Sequence, residues 1–222
     1  PEKTYFNWIA SLEWNGPAGE SEAFGGDVIL RRSVLEKTNG YDEILVGGED
    51  PELSQRVRRL GGTIKRLETP MTLHDINMKT LGQYLRRAYR TGYGCAAVSL
   101  RHVGAVEGYF FEELRRIIVR GGGSLMFFSL AVLLGSLADV YWYFLLLPSF
   151  ILLFYPRLFR IPYFAQTKEL STRKARQYAL HCSLVVIPQF FGVIRYIYGS
   201  MSNRPLENTI TGQPKKTDDN SS

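Results

Sequence analysis

Cysteine and histidine are scarce in this chain, with two cysteines and three histidines in 222 residues. Cys95 and Cys182 stand far apart, which argues against a disulfide scaffold and a cysteine-based metal site, and fits a reducing compartment. Also missing are an internal repeat, a signal peptide and any motif of the nucleic-acid-binding modules. The sequence opens on Pro1 rather than methionine and reads as a fragment of a longer protein. Acidic residues are outnumbered, 21 Asp and Glu against 27 Lys and Arg, for a formal net charge of +6. A basic balance points to nucleic acid or to an anionic membrane surface. Apolar residues crowd into the C-terminal half, which selects the membrane.

Long stretches without charge are the most informative presence. Residues 124–155 carry a single formal charge, Asp139. As one straight helix at ~1.5 Å per residue they would span about 48 Å, too long for a hydrocarbon core of about 30 Å. A hairpin is expected, with Asp139 near its tip and Pro148 kinking the second arm. Arg115, Arg116 and Arg120 precede it, and Arg157 and Arg160 follow, which places both ends in the cytoplasm. Residues 161–177 read as a polar, basic loop. A third apolar segment, 178–198, is broken by Pro188 and carries Arg195; whether it spans or lies in the interface is open. Residues 203–222 are expected to be a disordered tail.

Before the membrane region, Leu81, Tyr84, Leu85, Ala88 and Tyr89 recur at helical spacing among Arg86, Arg87 and Arg90. This predicts a basic amphipathic helix within 79–123, lying on an anionic membrane surface or packed against the preceding domain with solvated arginines. Further upstream, strand and helix signals alternate. Val28, Ile29 and Leu30 follow Gly25-Gly26-Asp27 as a predicted buried strand. A short helix over 34–38 is capped by Ser33 and stopped by Asn39-Gly40. Residues 63–67 and 71–75 read as further extended pieces. This alternation predicts an α/β fold for residues 1–78.

The densest pattern is Gly47-Gly48-Glu49-Asp50-Pro51-Glu52 and the ten residues after it. Asp50 suits an N-cap, Pro51 the first helical position and Glu52 the first turn. Leu53, Val57 and Leu60 give one buried stripe; Gln55, Arg56, Arg58 and Arg59 are expected to face water, and Gly61-Gly62 to end the helix. Taken alone, the pattern describes a well-capped surface helix.

Its company suggests more. The wording GGDVILRRSVLEKTNGYDE, GGEDPELSQRVRRLGG, LHD and LGQYLRRAYRTGYG, over roughly residues 14–101, resembles the C-terminal part of the membrane-bound inverting glycosyltransferases of family 2. The resemblance implies an α/β fold, the C-terminal part of a GT-A (nucleotide-sugar transferase) domain. An amphipathic interfacial helix and a helical transmembrane region would follow it. It implies transfer of a sugar from a nucleotide-sugar donor to a lipid-linked or saccharide acceptor. The setting would be the cytoplasmic face of the inner cell membrane, in cell-envelope or exopolysaccharide synthesis, in a multi-pass protein that contacts membrane lipids and no nucleic acid.

Carried over position by position, the Glu-Asp pair matches the family's catalytic acidic motif, which makes Asp50 the general base and Glu49 its alternative. A carboxylate at a helix N-terminus is expected to be ionised at neutral pH and ready to take a proton from an acceptor hydroxyl. Gly25, Gly26 and Asp27 match the loop near donor sugar and acceptor, where glycine permits close backbone approach; an ordinary turn before a strand is the competing reading. Gln83, Arg86 and Arg87 resemble the Gln-x-x-Arg-Trp motif, with Arg87 in place of Trp. They are diphosphate-binding candidates or simply a basic helix face. The missing Trp puts processive synthesis in doubt. His74, 24 residues after Asp50, is a tentative ligand for the divalent metal (Mg or Mn) the family implies, or a core histidine. No Asp-x-Asp precedes Gly25 and no nucleotide-binding strand–helix unit precedes this region, so the chain alone is expected to be inactive. The rival reading is a non-catalytic membrane adaptor or export subunit with a degenerate fold.

Overall fold

The computed structural model describes residues 4–14, 16–43, 45, 47–69, 78–101 and 110–202. Of these, 72% are helical. The chain order is α1 (Tyr5–Trp14), β1 (Gly19–Glu20), α2 (Arg32–Thr38), α3 (Glu49–Arg59), β2 (Lys65–Arg66) and α4 (Leu81–Arg101). Then come α5 (Phe111–Arg116), a π-helical stretch (Ile117–Gly122), α6 (Gly123–Leu137), a 3₁₀ stretch (Val140–Leu145) and α7 (Leu146–Leu158). The last three are α8 (Ile161–Thr167), α9 (Thr172–Leu184) and α10 (Val186–Met201).

The expected α/β domain is therefore corrected: among the described residues there is no GT-A sheet core. β1 and β2 pair antiparallel over two residues each, Gly19 with Arg66 and Glu20 with Lys65. Val28, Ile29 and Leu30 form no strand, and Ile29 is 84% exposed. The predicted strand over 63–67 shrinks to Lys65–Arg66, and residues 71–75 lie outside the described set. Short apolar runs do not distinguish a strand from other buried segments, and a strand exists only where a neighbour takes its N–H and C=O groups.

The elements of the first part keep their sequence logic at their ends. α2 stops in a Schellman motif: Asn39 is left-handed, with Asn39 N–H on Glu36 O and Gly40 N–H on Leu35 O. α3 stops likewise, with Gly61 N–H on Arg58 O and Gly62 N–H on Val57 O. Leu53 and Val57 are buried as predicted, whereas Leu60 is 57% exposed and Gln55 is 1% exposed. Leu60 is the C-cap, where the helical stripe no longer holds it against the core. α2 begins two residues earlier than a Ser33 cap would allow, from Arg31 with no side-chain cap.

α4 is the beam of the molecule. Its C-terminal half, from Gly92 to Ser99, is buried, chiefly against α10. Tyr84 faces His181, Gly92 meets Gln189, and Tyr93 packs edge-on to Tyr196, so α4 runs parallel to the α9–α10 rod. A Cβ on Gly92 would fall 1.9 Å from Gln189 O, and one on Gly192 would fall 2.0 Å from Tyr89 O. Glycine here allows backbone-to-backbone contact. The basic helix is thus packed on a neighbour, and that neighbour is an apolar helix, not a sheet.

Three helical segments are long and apolar enough to cross a membrane: Phe111–Leu137, Val140–Thr167 and Thr172–Met201. The first two form the predicted hairpin. Its tip is Asp139, whose carboxylate caps the 3₁₀ stretch by accepting from Tyr141 N at 3.0 Å. Ser149 Oγ donates to Ser124 O across the two arms. Pro148 sits in the first turn of α7, where its missing N–H costs little, and the proline inside that helix is Pro156. The expected loop 161–177 is instead helical over α8 and the start of α9, which Ser171 caps. The third segment starts at Thr172 and breaks at Val185, three residues before Pro188. α1 packs on this base: Ile9 joins Phe164, Ala175, Tyr178 and Ala179 in one core, and Lys168 Nζ reaches the Leu12 carbonyl.

Candidate functional site

The loop before α3 is shaped by glycine. Gly48 sits at φ 85°, and a Cβ there would lie 3.0 Å from Val98 Cγ2 and 3.1 Å from Gly94 O of α4. The left-handed turn and the tight approach both require glycine. Gly48 is the N-cap of α3, and Glu52 N–H donates to its carbonyl at 3.0 Å. Asp50 is consequently inside the first turn, not the N-cap, and Pro51 is the third helical residue, not the first. The helix starts earlier because the packing of Gly48 on α4 decides where the chain turns.

Asp50 is half-buried, and Tyr41 Oη donates to its Oδ1 at 3.0 Å. The position of Tyr41 follows from α2 and α3 together. Arg56 donates Nη2 to Gly40 O at 2.8 Å and Nη1 to Thr38 O, fastening the end of α2 to α3. The buried Glu52 holds the same guanidinium, with Nε at 2.9 Å and Nη2 at 2.7 Å. Tyr41 is the next residue after that clasp. Ser54, fully buried, donates to Asp50 O at 2.7 Å and accepts from Phe24 N at 3.1 Å. The loop of Gly25, Gly26 and Asp27 therefore leaves from a point fastened to the first turn of α3, and all three residues are on the surface.

Burial raises the pKa of Asp50 above the ordinary carboxylate value, the Glu49 charge adds to that, and the Tyr41 hydrogen bond opposes it. Loss of water thus works against the ionised form that a helix N-terminus favours. Burial also pushes the Tyr41 hydroxyl up to about 12, helped by its bond to Asp50 and by the charges of Asp50 and Glu49. Tyr41 thus remains a donor at neutral pH, and Asp50 gains basicity. Glu49 is exposed.

The other predicted site residues sit on α4. Arg90 O passes within 3.5 Å of where a Gly47 Cβ would be. Arg86 and Arg87 lie one turn further toward the N-terminus, about 5 Å along the axis. Arg86 is exposed and Arg87 half-buried. Gln83 completes a capping box with Thr80: Thr80 N–H donates to Gln83 Oε1 at 3.2 Å, and Gln83 N–H donates to Thr80 Oγ1 at 3.3 Å. Lys79 N–H shares the same oxygen at 2.8 Å. His74 lies outside the described residues. Among the described residues no three His, Cys, Asp or Glu side chains converge, and Glu49 with Asp50 alone do not supply the roughly six oxygens of a Mg²⁺ site. Sequence reasoning missed Tyr41, Ser54 and Arg56. Ser54 had a signal, standing four residues after Asp50 on the same helix face; Tyr41 and Arg56 had none.

Residues 8–80 match the family model described as the N-terminal domain of galactosyltransferase. That stretch contains the 25–27 loop, α2, Tyr41 and α3. The match supports a glycosyltransferase-type function, which implies a sugar donor and an acceptor. No curated protein and no solved structure matches the chain.

Proposed function

We propose that this chain is part of an inverting, family 2-like glycosyltransferase that moves a sugar from a nucleotide-sugar donor to a lipid-linked or saccharide acceptor. The setting is the cytoplasmic face of the cell membrane, in envelope or exopolysaccharide synthesis. The single observation that carries the reading is Asp50: a half-buried carboxylate of raised basicity, held by Tyr41, inside the stretch matched to galactosyltransferase. Asp50 takes the proton of the acceptor hydroxyl as that oxygen attacks the anomeric carbon, and the nucleoside diphosphate departs with the electron pair of the broken bond. Tyr41 occupies one carboxylate oxygen and orients the other. Glu49 is the alternative base.

Gly25, Gly26 and Asp27 lie on the substrate side, and Arg86 and Arg87 neutralise the diphosphate. Gln83 keeps its amide NH₂ for the diphosphate while its oxygen serves the capping box. Arginines at both ends of the hairpin support the cytoplasmic placement. The test is Asp50→Asn in the full-length enzyme, with a galactosyl donor assayed first because of the family match. Transfer falls by a thousandfold or more while donor binding, measured by calorimetry, persists. Normal turnover by the Asn variant would reject the assignment.

A further inference from the structure

Where the two arms of the hairpin meet α9, three guanidinium groups crowd together. Arg116 ends α5, Arg120 lies in the π-helical stretch, and Arg157 is near the end of α7. Arg120 is only 6% exposed, and each of Arg116 and Arg157 acts electrostatically on it. Glu113 is the carboxylate paired with Arg116, its Oε1 3.1 Å from Nη1, and its charge reaches Arg157 as well. Three cations and one anion leave a local excess of two positive charges in an apolar setting.

Backbone carbonyls take part of the donor capacity. Arg120 Nη2 donates to Leu153 O at 2.7 Å and to Cys182 O at 3.5 Å, and Nε donates to Leu152 O at 3.3 Å. Leu152 O is open to this because Pro156, four residues on, has no N–H to offer it. Donors nevertheless remain. Arg116 Nε, Arg120 Nη1 and Arg157 Nε are buried without a hydrogen-bond partner among the described residues. A buried donor left unpaired is destabilising, and an uncompensated buried charge more so. Three such atoms on neighbouring arginines call for an anion with several acceptor oxygens. The π-helical turn that carries Arg120 is a rare conformation met often at functional sites.

We propose that Arg116, Arg120 and Arg157 form a binding site for a lipid phosphate at the base of the hairpin. Arg116 and Arg157 are partly exposed and form the mouth; Arg120 is the floor. Phe150, Phe154 and Arg157 fall at i, i+4, i+7 along α7, and the rings of Phe150 and Phe154 pack 4.6 Å apart. They make an apolar stripe that leads from the guanidinium groups toward the hairpin tip, where an acyl or isoprenoid chain would run. A phosphate monoester or diphosphate brings the negative charge and acceptor oxygens the three arginines lack, and planar guanidinium groups match phosphate oxygens. The ligand class deepens the lipid-linked acceptor of the reading above and rests on that reading for its place in the reaction.

The full chain in neutral phosphatidylcholine nanodiscs is titrated with farnesyl phosphate, farnesol, phosphatidic acid, diacylglycerol and inorganic phosphate, with no sugar donor present. Both phosphorylated lipids are expected to bind at least tenfold more tightly than their uncharged counterparts. Preference for farnesyl phosphate would mark an isoprenoid acceptor, and preference for phosphatidic acid a membrane lipid headgroup; both fit a lipid-phosphate site. Arg157→Gln is expected to remove that tenfold advantage and Arg157→Lys to restore part of it. The proposal fails if farnesol and farnesyl phosphate bind alike, a comparison that needs only the wild-type chain. It also fails if inorganic phosphate alone binds, or if folded Arg157→Gln keeps the advantage. Lost lipid binding would leave the role of Asp50 standing, and a failed transfer assay would leave this site standing.

Discussion

At the residue scale, the chemistry of Asp50 depends on the group that touches it. The Tyr41 hydroxyl donates to the charged form of Asp50 and therefore lowers its pKa, against burial and Glu49, which raise it. Tyr41→Phe removes a hydrogen bond that lowers the Asp50 pKa, so that pKa rises further and the acidic limb of kcat/KM moves to higher pH. A pH–rate profile of the full-length enzyme checks this, and movement to lower pH would contradict it. Stability carries the same sign. An acid whose folded pKa lies above its unfolded value binds more protons when folded, so its contribution to stability falls as pH rises between the two values. Asp50→Asn abolishes that charge and is expected to keep or raise the melting temperature at pH 7 while stopping transfer, the usual tension between stability and activity.

At the scale of elements, α4 links the candidate site to the long apolar helices. Its glycines face opposite neighbours: Gly94 meets the Gly47-Gly48 loop that starts α3, and Gly92 meets Gln189 of α10. The Gly92–α10 contact leaves no room for a methyl group, since the nearest atom is a backbone carbonyl that cannot rotate away. Gly92→Ala is therefore expected to force the two helices apart and cost about 3 kcal/mol. A thermal melt in detergent micelles against wild type measures it; an unchanged melting temperature would show that α4 and α10 do not lie this close. The Arg56 clasp belongs to the same scale, because it joins the C-terminal carbonyls of α2 to α3 and so delivers Tyr41 to Asp50.

At the scale of the whole molecule, the hairpin stands out by its surface. Met126, Phe128, Leu133, Leu137, Phe144 and Leu147 are all exposed, an arrangement suited to hydrocarbon and not to water. Tyr141 is 81% exposed beside Trp142 at the tip, and such aromatic residues favour a membrane interface. Leu133→Asp would place a charge on the lipid-facing side, costing about 3 kcal/mol near the bilayer centre. The variant is expected to be extracted at alkaline pH while the wild-type chain stays with the membrane fraction. Extraction of the wild type as well would show that the hairpin does not insert.

The hairpin with its tip at Asp139, the three apolar segments and the glycine stops of α2 and α3 were legible in the sequence. Each depends on residues close together in the chain, through helical periodicity, the cost of a charge in hydrocarbon or a left-handed cap. The Glu49–Asp50 pair was legible as two carboxylates at a helix start for the same reason. What surrounds it was not. Tyr41 reaches Asp50 only because the Arg56 clasp packs the end of α2 on α3, Phe24 meets Ser54 only because its loop folds over α3, and the burial that raises the basicity of Asp50 is a property of that packing. The expected sheet illustrates the same division, since a strand needs a partner, and among the described residues Val28, Ile29 and Leu30 find none. Local pattern determined which segments are apolar and where α2, α3 and the hairpin turn; tertiary packing decided what each face touches, and hence where charge is held without water.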